Sequence, residues 1–433
     1  MADKKRYSPW LWIPCLCAAE EIPSAVVTFV ALLMFMQFGT SEVLATFYSA
    51  LLFLPWVLKS YFYSKVRKAG RFKRYLHVVE ALMFLCLMGI AVYISEAQVK
   101  GWLLFLFLFV LSFLCAWHEL LSRLYYSRML FPCQQRIFNN TKMIASQMTL
   151  VVTYGVLIIV AGFFEVFFRS YQKAWAMESS LVAGGFLVFM VLNTMTLQRP
   201  KGISRSRHET LTDTVKNELQ VVARIQQKPY VLPVVLSLFF LLLPQALLFN
   251  TRVFFLLAPV EQGGLGCSVQ DVGFAQGTIG VLAFSGGLAL GRALMKRYGI
   301  QRMFGTTAVV LTLSPLSYML MAITPQVNNL FVLCCVTFFA QLCFGFGLNV
   351  CRLYVPYISE QRYRNTTNFL YVPLVVTLML VPMALSGWLC HQWGYAPYFT
   401  FCVSLAPLAW LVVGMCHVKG CLMAECETNP MNK

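Results

Sequence analysis

Runs of about twenty apolar residues, separated by short polar segments, recur from one end of the chain to the other. About twenty residues of α-helix cross the ~30 Å hydrocarbon layer of a bilayer, so each run reads as a transmembrane helix. We place twelve, at 10–37, 42–63, 75–95, 101–122, 143–163, 180–198, 231–258, 272–294, 304–323, 329–351, 368–389 and 397–417. The first run is too long for a signal-peptide core and leads through a short turn into the second, so it reads as a retained helix. The longest polar stretch, 199–229, falls between the sixth and seventh runs. Within it Leu211, Val215, Leu219, Val222 and Ile225 recur at three- and four-residue spacing, as in an amphipathic helix lying on a membrane surface. The chain thus divides into a first six-helix half at 1–198, a linker at 199–229 and a second half at 230–433.

Internal similarity supports two related halves. Lys68-Ala69-Gly70-Arg71-Phe72-Lys73 follows the second run and Arg297-Tyr298-Gly299-Ile300-Gln301-Arg302 follows the eighth, both fitting [KR]-x-G-x-x-[KR]. Arg123-Leu124-Tyr125 closes the fourth run and Arg352-Leu353-Tyr354 closes the tenth. The two matches share one offset, 299 − 70 = 352 − 123 = 229. Parallel six-span repeats are the plan of the major facilitator transporters, so the expected fold is all-α, with twelve transmembrane helices in two parallel six-helix halves.

Composition agrees with a lipid solvent. Hydrophobic residues make up 59% of the chain and charged residues 12%, about half the charged share of a soluble protein. The net charge of +17 invites a nucleic-acid reading, but its distribution is that of a topology signal. With the N-terminus in the cytoplasm, the inner segments hold 28 of the 34 Lys and Arg, and the outer loops hold Lys100, Arg169 and Lys173. The positive-inside rule then puts both termini in the cytoplasm of an inner (plasma) membrane protein, and no nucleic-acid partner is expected. The fifteen cysteines are scattered without C-x-x-C spacing, which points to helix packing rather than metal binding.

Charges inside the membrane are costly and default to functional candidates. Glu20 and Glu21 stand near mid-depth in the first span beside Pro23, where a missing N–H should bend the helix. Adjacent residues point about 100° apart, so both cannot face one cavity. Lys59, toward the inner end of the second span, is long enough to snorkel to the interface, and Glu80, early in the third, has a carboxylate within reach of it. Glu119 and Arg123 are one turn apart in the fourth span and can pair, with His118 beside them. In the seventh span Asn250 and Arg252 fall, at the same 229 offset, opposite Glu21 and Pro23. A buried guanidinium needs a carboxylate or an anionic ligand. Acids in the first half and an arginine in the second point to proton-coupled carriage of an anionic solute. No P-loop of the G-x-x-x-x-G-K-[ST] kind is present, so the proton gradient, with no cofactor, is the expected energy source.

Several stretches resemble the AmpG family of muropeptide permeases within the major facilitator superfamily. The clearest is FGFGLNVCRLYVPYISEQRY at 344–363, which contains Asn349, followed by SGWL at 386–389, Gly394-Tyr395 and Tyr398-Phe399. GGLGCSVQDVGFAQGTIGVLAF at 263–284 is similar to that family's entry to the eighth span. Pro9-Trp10-Leu11-Trp12, AEEIP at 19–23 and LPWVLK at 54–59 match its first two spans. The fourth span through Gln134-Gln135 is similar to A-T-H-D-I-x-x-D-G-[FY]-Y…Q-Q, with Glu119 for the first Asp, Arg123 for the second and Leu124 for the Gly. Glu21 stands where the family has Gly. By this resemblance Glu20 and Lys59 hold family positions, and the expected solute is an N-acetylglucosaminyl-anhydromuramyl peptide.

The expectation is a monomeric, proton-coupled importer of an anionic glycopeptide, its other partner being the bilayer. Glu20 and Glu119 are the proton-coupling candidates. Glu21, Lys59, His118, Arg123, Asn250, Arg252 and Asn349 are the solute or gating candidates. A permease of siderophore or acetyl-CoA type is the alternative within the superfamily. An integral membrane acyltransferase is the alternative from another class, and it would need a nucleophile and a base near one face.

Overall fold

The computed structural model describes residues 8–59, 72–96, 98–198, 227–228, 231–324, 329–358 and 364–415. They form twelve helices long and apolar enough to cross a bilayer, and no strand is found among them. These are α1 (Pro9–Gln37), α2 (Glu42–Lys59), α3 (Phe72–Ser95), α4 (Gly101–Met129), α5 (Pro132–Phe168), α6 (Tyr171–Thr196), α7 (Val231–Leu257), α8 (Val269–Tyr298), α9 (Ile300–Ile323), α10 (Leu330–Tyr357), α11 (Leu370–Trp393) and α12 (Tyr395–Met415). The amphipathic pattern at 208–227 lies almost wholly outside the described residues.

Local chemistry explains where the helices begin. Ser8 caps α1 ahead of Pro9, Ser41 caps α2, and Ser170 caps α6 after Arg169 turns left-handed at φ 49°. Ser268 and Asp271 form a reciprocal capping box at the start of α8. Gly299, in the second copy of the basic-glycine motif, takes φ 84° and breaks α8 from α9, a conformation open to glycine at no steric cost. Two helices begin well ahead of their apolar runs: α5 begins at Pro132 rather than 143, and α6 at Tyr171 rather than 180, which puts Lys173 on a helix.

The chain groups into two compact units. One holds residues up to Lys216 together with Ser268–Val281; the other holds Asn217–Cys267 and Leu282–Lys433. In the first, α1 is the most enclosed helix, with Ala25, Val30, Leu33 and Phe35 fully buried. After Pro23 its backbone passes through a five-residue π-helical turn, Val26–Val30, before resuming as α-helix, one of the ways a helix absorbs an interrupted ladder. The first stretch of α8 lies directly on α5. A Cβ on Gly277 would fall 1.8 Å from the Tyr154 carbonyl oxygen, and one on Gly155 would fall 2.2 Å from Thr278 Oγ1. In lipid, where apolar side chains gain little by leaving their solvent, such small residues allow helix backbones to pack directly.

The second unit is held by aromatic stacking and by repairs to its proline breaks. Tyr354, from the repeated Arg-Leu-Tyr, stacks on Phe304 at 3.8 Å. Pro315 in α9 has no N–H for the Leu311 carbonyl. Gln245 of α7 supplies the bond instead, Nε2 donating over 2.6 Å, while its Oε1 accepts from Ser314 at 3.2 Å. Tyr398 of α12 donates to the Leu247 carbonyl of α7 at 2.9 Å. Satisfying each freed backbone group inside the protein is what a hydrocarbon solvent demands.

Candidate functional site

Three polar centres are built into the first unit. The first surrounds Glu119 of α4. Its Oε2 lies 2.6 Å from Lys59 Nζ and accepts the Trp56 indole N–H at 2.9 Å, both from α2. Its Oε1 accepts from Arg123 Nη2, one turn along, at 3.4 Å. Lys59 is 4% exposed, Glu119 20% and Arg123 39%. Two cations face one carboxylate, and Arg123 is the accessible side of the cluster. The expected Glu119–Arg123 pair is present. Lys59, expected to snorkel, is instead buried as the shorter partner of the same carboxylate, whose attraction within the low-dielectric interior outweighs the reach to water.

The second centre is a small cavity of about 10 Å³, room for one water, lined by Trp12, Cys17 and Glu20 of α1, Ser122 and Tyr126 of α4, and Lys142 of α5. The Lys142 ammonium sits 5.3 Å from the Tyr126 ring centroid. Glu21, rotated about 100° from Glu20 on the same helix, accepts from Ser146 Oγ of α5 at 2.7 Å. The two acids therefore divide, one toward the cavity and one into the α1–α5 contact.

The third centre lies between α3, α4 and α6. Glu80 Oε1 accepts from Asn193 Nδ2 at 2.8 Å and lies 3.3 Å from His118 Nε2. Its Oε2 lies 3.3 Å from His77 Nδ1, and Ser122 Oγ lies 3.3 Å from His118 Nδ1. Glu80, His118 and Asn193 are fully buried. The expectation of an interfacial Glu80 is thus corrected: the nitrogen groups of three side chains converge on it and hold it inside. The Ser122–His118–Glu80 line is also the arrangement an acyltransferase would need. Ser122 is 2% exposed and lines the small cavity of the second centre, and the acyltransferase alternative gains no support from the structural relatives described below.

The second unit holds the remaining candidates. Asn250 is fully buried, and the Arg252 guanidinium lies 5.3 Å from the Phe249 ring centroid. Asn349 Nδ2 donates to the Leu288 carbonyl at 2.9 Å, tying α10 to α8. A wider cavity of about 400 Å³ lined by Phe239, Leu247, Leu378, Val381 and Leu385 is almost wholly apolar and offers a polar solute nothing to bind.

Sequence reasoning missed Trp56, Ser122, Lys142, Asn193 and Glu178. Glu178 of α6 is 1% exposed, and neither of its carboxylate oxygens has a hydrogen-bond partner among the described residues. It escaped notice because the polar first turns of α6 lowered the local hydropathy and moved the apparent start of the span past it. Ser170, a helix-start residue immediately ahead, was the available signal. Pro132, before Lys142, was another.

No family model and no curated protein matches the sequence. Solved structures do match over nearly the whole chain. A mutant form of the nucleoside transporter NupG aligns with TM-score 0.70 at 13% identity, covering 94% of this chain and 99% of that one. The peptide transporter POT in complex with sulfate aligns with TM-score 0.67 at 9% identity, covering 96% of each chain. The D-xylose-proton symporter aligns with TM-score 0.63 at 13% identity, covering 93% and 95%. The chain has the major facilitator fold, and its described residues form twelve helices long and apolar enough to cross a membrane, with no strand among them.

Proposed function

We propose that this protein is a secondary transporter that couples proton entry to the import of a bulky anionic solute across the inner membrane. The observation that carries the reading is that two cations, Lys59 and Arg123, meet at Glu119 within the spans of the first unit, with the Arg123 side chain 39% exposed. An exposed guanidinium is a strong donor to anionic oxygens, and an anionic solute would meet it there. Glu20, lining the water-sized cavity beside this cluster's helix, is the proton carrier. Arg252 of the second unit is an anion contact. The fold's occurrence in a structure described as a proton symporter supports coupling to protons, and the first-span and tenth-span motifs support anhydromuropeptides as the solute class. In this reading both termini are cytoplasmic, the chain acts as a monomer, and no cofactor takes part.

The test is uptake by proteoliposomes, acid outside, of labelled anhydromuropeptide, a siderophore, acetyl-CoA and a neutral disaccharide. Accumulation of the muropeptide that stops when the gradient is collapsed is the expected result. Accumulation of the siderophore or acetyl-CoA instead would keep the carrier and replace the solute. Equal flux of the neutral sugar, or uptake indifferent to the gradient, would overturn the reading.

A further inference from the structure

The Glu80 cluster takes no part in binding a solute as described so far, yet its carboxylate is fully buried. We propose that Glu80, His118, His77 and Asn193 form a buried proton-binding site that exchanges one proton with the Glu20 cavity through the hydroxyl of Ser122. The proposal rests on the proton-coupled reading for its role in transport, but proton binding itself can be measured without any solute.

Charge balance gives the site its proton. With Glu80 ionised and both imidazoles neutral, the cluster carries one negative charge in a region where Glu80, His118 and Asn193 are all 0% exposed. A buried net charge is strongly penalised, and one added proton removes it. That proton sits on His118. Its Nε2–H then faces Glu80 Oε1 at 3.3 Å and its Nδ1–H faces Ser122 Oγ at 3.3 Å. Glu80 Oε1 keeps the Asn193 amide at 2.8 Å and Oε2 keeps His77 at 3.3 Å, so the negative partner stays in place whether the proton is bound or gone.

Charged groups on the helices around this cluster hold contacts of their own. On α3, Lys73 donates to the Leu197 carbonyl at 2.5 Å. From α4, Glu119 is occupied by Lys59, Trp56 and Arg123. The α6 helix contributes the uncharged Asn193. The titratable groups of α1, Cys17 and Glu20, and Lys142 of α5 stand across the small cavity from Ser122.

The exit step follows from the same geometry. Ser122 is 2% exposed, and it lines that cavity together with Glu20. The proton on His118 Nδ1 passes to Ser122 Oγ as the serine hydroxyl hydrogen passes to a water in the cavity and on to the Glu20 carboxylate. His118 is left neutral, Glu80 negative and Glu20 protonated. The reverse shift returns the proton, and no atom is gained or lost. His77, with 22% side-chain exposure and about 8 Å from the start of α3, is the cluster's nearest approach to the membrane face that carries Phe72.

The experiment uses the purified full chain in lipid nanodiscs with 15N-labelled histidine rings, of which the sequence holds five, observed by NMR from pH 5 to 9. His118 is assigned by its loss in His118→Asn and, should that variant fail to fold, by the displaced Nδ1 signal in Ser122→Ala. His118 is expected to gain a proton within this range. Glu80→Gln, which keeps an acceptor but removes the charge, is expected to weaken proton binding at His118 about tenfold or more. Ser122→Ala is expected to leave proton affinity within about twofold while slowing exchange, so that the averaged signal broadens or splits. A His118 that keeps one protonation state throughout overturns the proposal, as does one that titrates identically in folded Glu80→Gln. These spectra need neither gradient nor solute. A carrier that is not proton-coupled would leave them unchanged and would fail only the uptake assay.

Discussion

Glu119 is the residue whose loss the first unit should tolerate least. Glu119→Gln keeps the size of the side chain but removes the carboxylate that Lys59, 4% exposed, shares with Arg123. Removing one partner of a buried pair costs about 3–5 kcal/mol. The lower end applies here, because Glu119 and Arg123 retain some water at 20% and 39% exposure. Lys59→Met is milder, since Glu119 keeps the Trp56 indole at 2.9 Å and Arg123 at 3.4 Å; losing one hydrogen bond to a charged group costs about 1.5–3 kcal/mol. Arg123→Gln breaks the most exposed contact and should cost under about 1 kcal/mol. The double variant Lys59→Met with Glu119→Leu removes both charges together and should recover about 1–3 kcal/mol relative to the sum of the singles. Thermal unfolding in detergent, followed by a thiol-reactive dye that reports exposure of the buried Cys15, Cys17 and Cys115, orders the variants. At roughly 2 °C per kcal/mol for a chain of this size, Glu119→Gln should melt about 6 °C below the parent. A Glu119→Gln protein as stable as the parent, or a double variant equal to the sum of the singles, would refute the cluster. The same geometry predicts that swapping Glu119→Arg with Arg123→Glu rescues poorly, because the new arginine would lie against Lys59.

Glu20→Gln should abolish pH-driven accumulation while downhill exchange persists, measured on matched amounts of folded protein; full accumulation would remove Glu20 as the carrier. Gly277→Val places a side chain where a Cβ already lies 1.8 Å from the Tyr154 carbonyl oxygen. It should sharply reduce the yield of folded protein on size-exclusion chromatography, whereas Gly184→Ala, with open space around its Cβ position, should not. Glu178→Met removes a buried carboxyl that has no hydrogen-bond partner among the described residues and should raise the melting temperature by the equivalent of about 1–3 kcal/mol; a fall would reveal a partner for Glu178.

The number of helices was legible because hydrocarbon imposes the same length and apolarity on every span, and that signal needs no tertiary context. Helix starts were less legible wherever a helix runs on past its apolar window. The polar turns of Pro132–Lys142 and Tyr171–Ser179 are helical because Pro132 and Ser170 begin them, yet their hydropathy resembles a loop. The Glu119–Arg123 pair could be read because both residues lie on one helix at i,i+4 spacing. Its third member, Lys59, comes from another helix, and a single sequence carries no statement of which helices adjoin. The same reason hides the convergence of His77, His118 and Asn193 on Glu80, which draws on three helices. The carboxylates of Glu20 and Glu21 were separable in advance, since a helical turn of 100° per residue forces them apart.

The contrast between Glu119 and Glu20 bears on which of the two sequence-level proton candidates serves. Glu119 holds Lys59 at 2.6 Å, Trp56 at 2.9 Å and Arg123 at 3.4 Å. Protonating it would strand two cations side by side and surrender a charge-assisted bond to each. Proton loading there competes with the cluster's own cohesion. Glu20 lines a cavity with space for a water, near a lysine whose ammonium is engaged with the face of Tyr126. The most exposed group of the Glu119 cluster is Arg123. On the proposed reading an anionic solute meets this guanidinium and a neutral solute of the same shape does not, so discrimination by charge should weaken in Arg123→Gln even where shape and size are left intact.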